Sequence, residues 1–253
     1  MIHSQETRVV LTSSNDDGNK PSEFSTNLLK PLNLTGNWQV ALSEITIPKC
    51  PINFDEKDCM ILETFVPNGD VVYSRKVSFL PENIFSHEKL ITRIHEMMKK
   101  HDKSFHGKIE FNDKTFKLII TLHRGERIIF SPRLSQVLSL EPVLENTDED
   151  ERRYASKYCV DIRLNFWNLY VYSNLNKAII LGEKLSPLLQ TLSLESLEYG
   201  VLTKSYNPPV FLPIARHFIP SISIKICDEI GRPVRFSSNC STVCKLIFMK
   251  DGL

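Results

Sequence analysis

Glycine is scarce in this chain. Nine glycines among 253 residues leave little material for phosphate-cradling loops, and neither Gly-x-x-x-x-Gly-Lys-Ser/Thr nor Gly-x-Gly-x-x-Gly occurs. Gly-x-Ser-x-Gly and His-Glu-x-x-His are missing too, so the common serine-hydrolase and zinc-protease fingerprints are excluded. Net charge is almost nil, with 31 basic against 30 acidic residues and a formal +1. A protein dedicated to coating nucleic acid carries a basic excess, which argues against that role for the whole chain while leaving room for a local basic face. No apolar run approaches the roughly 20 residues that cross a bilayer, so no membrane span is expected. Residues 1–8 lack the apolar core of a signal peptide. The chain is therefore expected to be made and used inside a cell. None of the six cysteines forms a Cys-x-x-Cys pair. Cys50, Cys59, Cys159, Cys227, Cys240 and Cys244 are expected to be free thiols, several of them buried on strands.

What is present is an ordinary globular balance, 42% hydrophobic and 24% charged, long enough for one large domain or two small ones. In the first block, residues 8–12 read as a strand with Val9 and Leu11 on one face. Phe24, Thr26 and Leu28 alternate as a second strand. After the Gly36-Asn37 turn, Trp38, Val40 and Leu42 keep a period of two, but Ile45 and Ile47 fall out of phase. That slip predicts a bulge near Ser43-Glu44.

The second block changes character. Residues 60–66 and 71–80 predict a hairpin around Pro67-Asn68-Gly69-Asp70. A helix follows, capped by Ser86, with Glu88 in its first turn and Lys99, Lys100 and His101 in its last. Leu90, Ile91, Ile94, Met97 and Met98 form its core-facing stripe. Ile109 and Phe111 are expected to pair with Phe116, Leu118, Ile120 and Leu122. A turn at 123–126 and a short strand at 127–130 come next. Ser131-Pro132 opens a short helix with Leu134, Val137 and Leu138 on one face. The charged run at 145–153 reads as a solvated loop or boundary.

The third block is strand-rich. Val160, Ile162, Leu164 and Phe166 alternate, residues 167–172 continue as an aromatic strand, and Ile222, Ile224 and Ile226 alternate before a turn at 228–233. Cys244, Leu246 and Phe248 close the chain. Many short strands with frequent turns argue for a sandwich or jelly roll rather than a βαβ fold.

No catalytic, cofactor-binding or metal site is expected. His95 and His101, about 600° apart on one helix, cannot share an ion, and they and His87 and His106 read as exposed helix histidines. Cys240 and Cys244 lie too far apart along a strand to share zinc or a disulfide and read as core residues. Asp148-Glu149-Asp150-Glu151 lacks the spacing and turning glycine of a calcium loop. Lys99, Lys100, Lys103 and Lys108 read as a basic helix end rather than a nucleic-acid patch. Trp38 and Trp167 each read as a core aromatic.

Two stretches carry a resemblance. Ser22-Glu23-Phe24-Ser25-Thr26-Asn27-Leu28, Pro31-Leu32, Leu34, Gly36, Trp38-Gln39-Val40-Ala41-Leu42, and Glu44-Ile45 through Pro48 form the first. Leu169-Tyr170-Val171-Tyr172-Ser173-Asn174, Gly182, Pro187-Leu188-Leu189, Asp228 through Gly231, Pro233-Val234, Phe236 and Lys245-Leu246-Ile247-Phe248 form the second. Together they resemble the minor capsid (penton) proteins of Polinton, or Maverick, elements, relatives of virophages. The segment Ser237-Ser238-Asn239-Cys240 departs from the family in lacking a glycine.

The resemblance implies a mainly β fold: an antiparallel jelly-roll sandwich from residues 1–57 and 154–253, with an inserted α+β module over 58–153. It implies a homopentamer at the five-fold vertex of a virion capsid assembled inside a host cell. The partner would be the major capsid protein of the same element, with no enzymatic activity, no cofactor and no sequence-specific nucleic acid. Short motifs do not mark the subunit interface. Alternatives are a major capsid subunit, or a carbohydrate- or protein-binding jelly roll with Trp167-Asn168 as its weak candidate site. A cupin-type enzyme would need histidine-rich strands, and only His123 and His217 lie near strand ends.

Overall fold

The computed structural model describes residues 6–15, 18–66, 69–99, 105–164, 166–195, 200–236 and 240–250. The chain begins with β1 (Glu6–Thr12), β2 (Glu23–Asn33) and β3 (Trp38–Pro48). It continues through β4 (Cys59–Phe65), β5 (Val71–Ser78), helix α1 (His87–Lys99), β6 (Lys108–Asn112), β7 (Lys117–His123) and β8 (Glu126–Phe130). Helix α2 (Pro132–Leu138), β9 (Val143–Asn146) and β10 (Glu151–Ala155) follow. The last stretch holds β11 (Asn168–Ser173), β12 (Ile179–Leu181), β13 (Lys184–Ser186), β14 (Leu188–Ser193), β15 (Val201–Ser205), β16 (Leu212–Pro213), β17 (Phe218–Cys227) and β18 (Val243–Lys250). Two compact units result, one from Met1–Pro51 with Asn165–Leu253, the other from Ile52–Leu164.

The first unit is two antiparallel sheets. One runs β1-β18-β3-β15, with β16 also on β3; the other runs β14-β11-β17-β2. Taking the eight main strands in chain order, the first pairs with the last (β1 with β18), and the second with the seventh (β2 with β17). The third pairs with the sixth (β3 with β15), and the fourth with the fifth (β11 with β14). This nesting is one long hairpin rolled over itself, which is a jelly roll. Leu11, Phe24, Val40, Ile45, Val171, Ile224 and Phe248 fill the space between the sheets. Each such side chain contributes about 1.5–3 kcal/mol by leaving water. The phase slip in β3 is a real bulge: pairing passes from Glu44↔Lys245 to Leu42↔Leu246, leaving Ser43 unmatched. The Ser43 hydroxyl donates to the Lys245 carbonyl at 2.9 Å. The extra residue lets Val40, Leu42, Ile45 and Ile47 all reach the core.

The second unit holds a four-stranded sheet, β5-β4-β8-β9, and a three-stranded sheet, β10-β7-β6. Its separate core includes Phe54, Leu62, Phe79, Ile94, Ile120 and Leu134. Helix α1 begins where Ser86 Oγ accepts from the Lys89 N–H at 3.1 Å, and Leu90, Ile94, Met97 and Met98 are buried along it. Ser131 does not cap α2 with its side chain; its hydroxyl instead accepts from the Cys59 N–H at 3.2 Å.

Several expectations are corrected. The unit boundaries fall at 51/52 and 164/165 rather than at 57/58 and 153/154. Phe54, Val160 and Ile162 are buried in the second core. The buried Asn53 amide holds them there, donating to the Ile84 and Ile162 carbonyls at 2.8 and 2.9 Å. Residues 160–164 form no strand, and 162–164 are turn, although Val160 and Ile162 are buried. The acidic run is partly strand: β9 and β10 flank it, and β10 pairs with β7. Phe116 is not in β7 but in the turn before it, at φ 52°. Glu126 begins β8 rather than closing a turn, and its buried carboxylate accepts from the backbone N–H groups of His106 and His123. Trp167 is 47% exposed, whereas Trp38 is buried. Cys244 is buried on β18, but Cys240 is exposed and precedes that strand. Pro67, Asn68, Lys100, His101, Lys103, Asn165 and residues 237–239 lie outside the described residues.

Candidate assembly surface

A two-sheet sandwich leaves strand edges, and each open edge is a template for another chain. In the first unit those edges are β1 and β15 in one sheet and β14 and β2 in the other. The edge of β2 is broken by a large irregularity. Its pairing with β17 jumps from Leu32↔Ile219 to Asn27↔Ser221, so Leu28, Leu29, Lys30 and Pro31 stand against Pro220 alone. β15 gives way to the two-residue β16 after the Pro208-Pro209 pair.

β14 has neither charge nor proline along its length. Its middle is covered by side chains instead. The Tyr206 hydroxyl donates to the Thr191 carbonyl at 2.9 Å, and Gln190 Oε1 accepts from the Thr191 N–H at 3.0 Å. Burial pushes the Tyr206 hydroxyl up to about 12, so it remains a donor even in mild alkali. Tyr206→Phe is expected to cost about 1 kcal/mol and to expose an edge carbonyl. Static light scattering of a concentrated sample should then rise faster with time than for the wild type; equal traces would show that this edge needs no cover.

Apolar groups stand out from the first unit elsewhere. β12 and β13 form an isolated two-stranded ribbon in which Ile180 pairs directly with Leu185, and these side chains are 78% and 73% exposed. Val10, Leu29, Val201, Val210 and Phe218 are also exposed. Apolar side chains paired in solvent are what contact surfaces present before a partner covers them.

The second unit carries a charged ladder across three strands. Glu63, Arg127 and Glu145 are direct cross-strand neighbours on β4, β8 and β9. Arg127 donates to Glu145 at 3.1 and 3.0 Å and to Glu63 at 3.0 Å. Hydrogen bonding to Glu145, with help from Glu63, raises the Arg127 guanidinium above its usual range. Nearby, the Phe116 ring is half open to solvent and packs against His87, which stacks on Phe111 at 5.2 Å.

No family model and no curated protein matches the sequence. Among solved structures, the crystal structure of the mavirus penton protein is similar, with a TM-score of 0.50. The likeness covers 96% of this chain and 99% of that chain, at 12% sequence identity. The fold is penton-like.

Within this penton-like fold the residues singled out from sequence scatter. His87 Nε2 lies 2.9 Å from the Val160 carbonyl and His95 Nε2 2.7 Å from that of Ile109. Both are half-buried tethers, which corrects their reading as exposed. His106 is exposed, and its ring meets that of His123 edge-on at 6.3 Å. Among the described residues no three His, Cys, Asp or Glu side chains are placed to share an ion. Among the described residues no helix is long and apolar enough to cross a membrane.

Trp167-Asn168 does not present a free amide to a sugar. Asn168 Oδ1 accepts from Ser193 Oγ at 2.8 Å, and its Nδ2 donates to Glu229 at 3.3 Å. The groups that matter most for the surface, Tyr206 and the Ile180–Leu185 pair, carry no motif. Only the Gly182 turn between short apolar runs hints at the ribbon, and glycine there adopts φ 60°.

Proposed function

We propose that this chain is a structural, non-enzymatic minor capsid subunit of the penton type. Five copies close the five-fold vertex of an icosahedral capsid built by a Polinton-like or virophage-like element. The observation that carries this reading is the nested eight-strand jelly roll with a contiguous second unit between β3 and β11, matched over nearly its full length by the mavirus penton protein. A cyclic ring needs heterologous contacts, one face of each subunit against a different face of the next. The first unit suits that requirement, because the side carrying β1 and β2 differs in sequence and cover from the side carrying β15 and β14. Its exposed aliphatic side chains supply apolar area for such contacts. The partner is the major capsid protein of the same element, and the place of action is the virion.

Light scattering after size exclusion tests the reading. A mass of five times the 29.1 kDa chain, alone or on mixing with the major capsid protein, is the expected result. A trimer would reassign the chain to a major-capsid building block. A monomer that persists in the mixture would overturn the proposal.

A further inference from the structure

The near-zero net charge conceals a strong local asymmetry in the first unit. One end of the sandwich gathers the end of β2, the turn between β2 and β3, the β12–β13 ribbon, the segment between β16 and β17, and the end of β18. Hydrogen bonds tie these pieces together. The Leu34 N–H donates to the His217 carbonyl at 2.8 Å, Lys177 N–H to Pro213 O at 2.9 Å, and Ala215 N–H to Leu175 O at 2.6 Å. Lys250 lies opposite Trp38 at the same end.

Five cations sit there: Lys30, Lys177, Lys184, Arg216 and Lys250. All but Lys250 are exposed, and none is paired with a described acid. Among the described residues, the acids at this end are Glu183, which is unpaired, and Glu6, which Arg8 already holds. Elsewhere on the unit Lys225, Arg232 and Lys245 are matched to Glu23, Asp228 and Glu44, and the cations without a described acid, Lys20, Lys49 and Lys204, lie on separate segments. Arg216 also lines a cleft of about 40 Å³ with Asn174, Phe218, Pro220 and Ser221. Unpaired like charges held together by a fold repel each other unless a counter-charge arrives.

We propose that this end of the jelly roll binds the phosphodiester backbone of nucleic acid, without reading its sequence. The occupant is set by charge. Five unpaired cations spread over several strand ends and loops suit a polymer with regularly spaced phosphates, and each phosphate neutralised releases a counter-ion. The inference does not depend on how many copies assemble, although a ring would multiply the field.

Fluorescence anisotropy of the full chain with labelled DNA duplexes of about 30 base pairs and unrelated sequences provides the test. Binding should be alike for the two sequences and should fall with salt, at a log–log slope of about −3 to −5. The triple variant Lys177→Glu, Lys184→Glu and Arg216→Glu should bind at least about tenfold more weakly, since three phosphate contacts are removed. A charge-matched control, Lys20→Glu, Lys49→Glu and Lys204→Glu, alters unpaired cations elsewhere on the same unit and should bind far more tightly than the first triple. Tryptophan fluorescence melts confirm that both variants are folded. Equal losses in the two variants would reduce the effect to net charge and overturn the proposal. So would no binding by the wild type at low salt. Tighter binding to polyglutamate than to DNA of equal charge would assign the face to an acidic protein instead.

Discussion

Asp58→Ala is expected to destabilise the second unit by about 3–5 kcal/mol, the range for removing one partner of a buried ion pair. Asp58 is 2% exposed. Its Oδ2 accepts from Arg133 Nη1 at 2.7 Å and from the Asp55 N–H at 3.0 Å. Arg133 also donates to the Asn53 carbonyl at 2.6 Å and lies over the Phe54 ring. Without Asp58, a largely buried guanidinium faces a carbonyl and a ring and no counter-charge. The Asp58 Oδ1 and Arg133 Nε atoms have no partner, so the pair is fixed by two strong contacts rather than by a saturated network. Adding Arg133→Met to Asp58→Ala should recover much of the loss, because the orphaned charge is then gone. The measurement is clean: both α-helices lie in the second unit and both tryptophans in the first. Urea unfolding followed by circular dichroism at the helical band should shift for Asp58→Ala. A shift below about 1 kcal/mol would mean that water already balances Arg133.

The first unit should weaken steadily in alkali. Cys244 is fully buried at the centre of its sheet, and burial pushes its thiol up to about 12 from 9.0. Between those values the unfolded chain ionises this thiol and the folded chain does not. The folded state therefore holds one more proton, and stability falls as pH rises. The slope is about 1.4 kcal/mol per pH unit, or about 4 kcal/mol across the window. Burial raises the Cys227 thiol and the Tyr206 hydroxyl in the same direction, so they add to the trend. Cys244→Val is close in volume and does not titrate, and should cost less than about 1.5 kcal/mol at neutral pH. Urea midpoints by tryptophan fluorescence, under reductant, should keep their neutral-pH offset up to about pH 8 and then change places above pH 9, the variant becoming the more stable. Parallel curves across pH 8–12 would rule out Cys244 as the source.

Much of the fold is legible wherever burial has one period. The α1 stripe, the Ile222–Ile226 alternation and the phase slip in β3 each point to a single solution. The failures share a cause. Val160 and Ile162 alternate with polar residues as a strand would, yet the alternation comes from a turn pinned by the Asn53 amide, a residue more than a hundred positions away. Glu151–Ala155 looks like solvated loop because an edge strand on a surface need bury little on either face. Trp167 looks like core because size and apolarity do not reveal which end of a strand it occupies. The candidate assembly surface is less legible still. Tyr206 covers β14, and Lys30 and Lys250 share one end of the sandwich, only because distant segments meet in space.

The rolled-hairpin topology also dictates an order of events during synthesis. β18 lies between β1 and β3, so the sheet they form stays split until that strand has left the ribosome. The intervening 52–164 segment is contiguous and has its own core, so it can fold early while the flanking strands wait. The flanking strands must then close across long separations, which is slow. A nascent chain stalled before β18 would present the split sheet, with bare inner edges, to chaperones and proteases. The emergence of β18 is thus the step that closes the sheet.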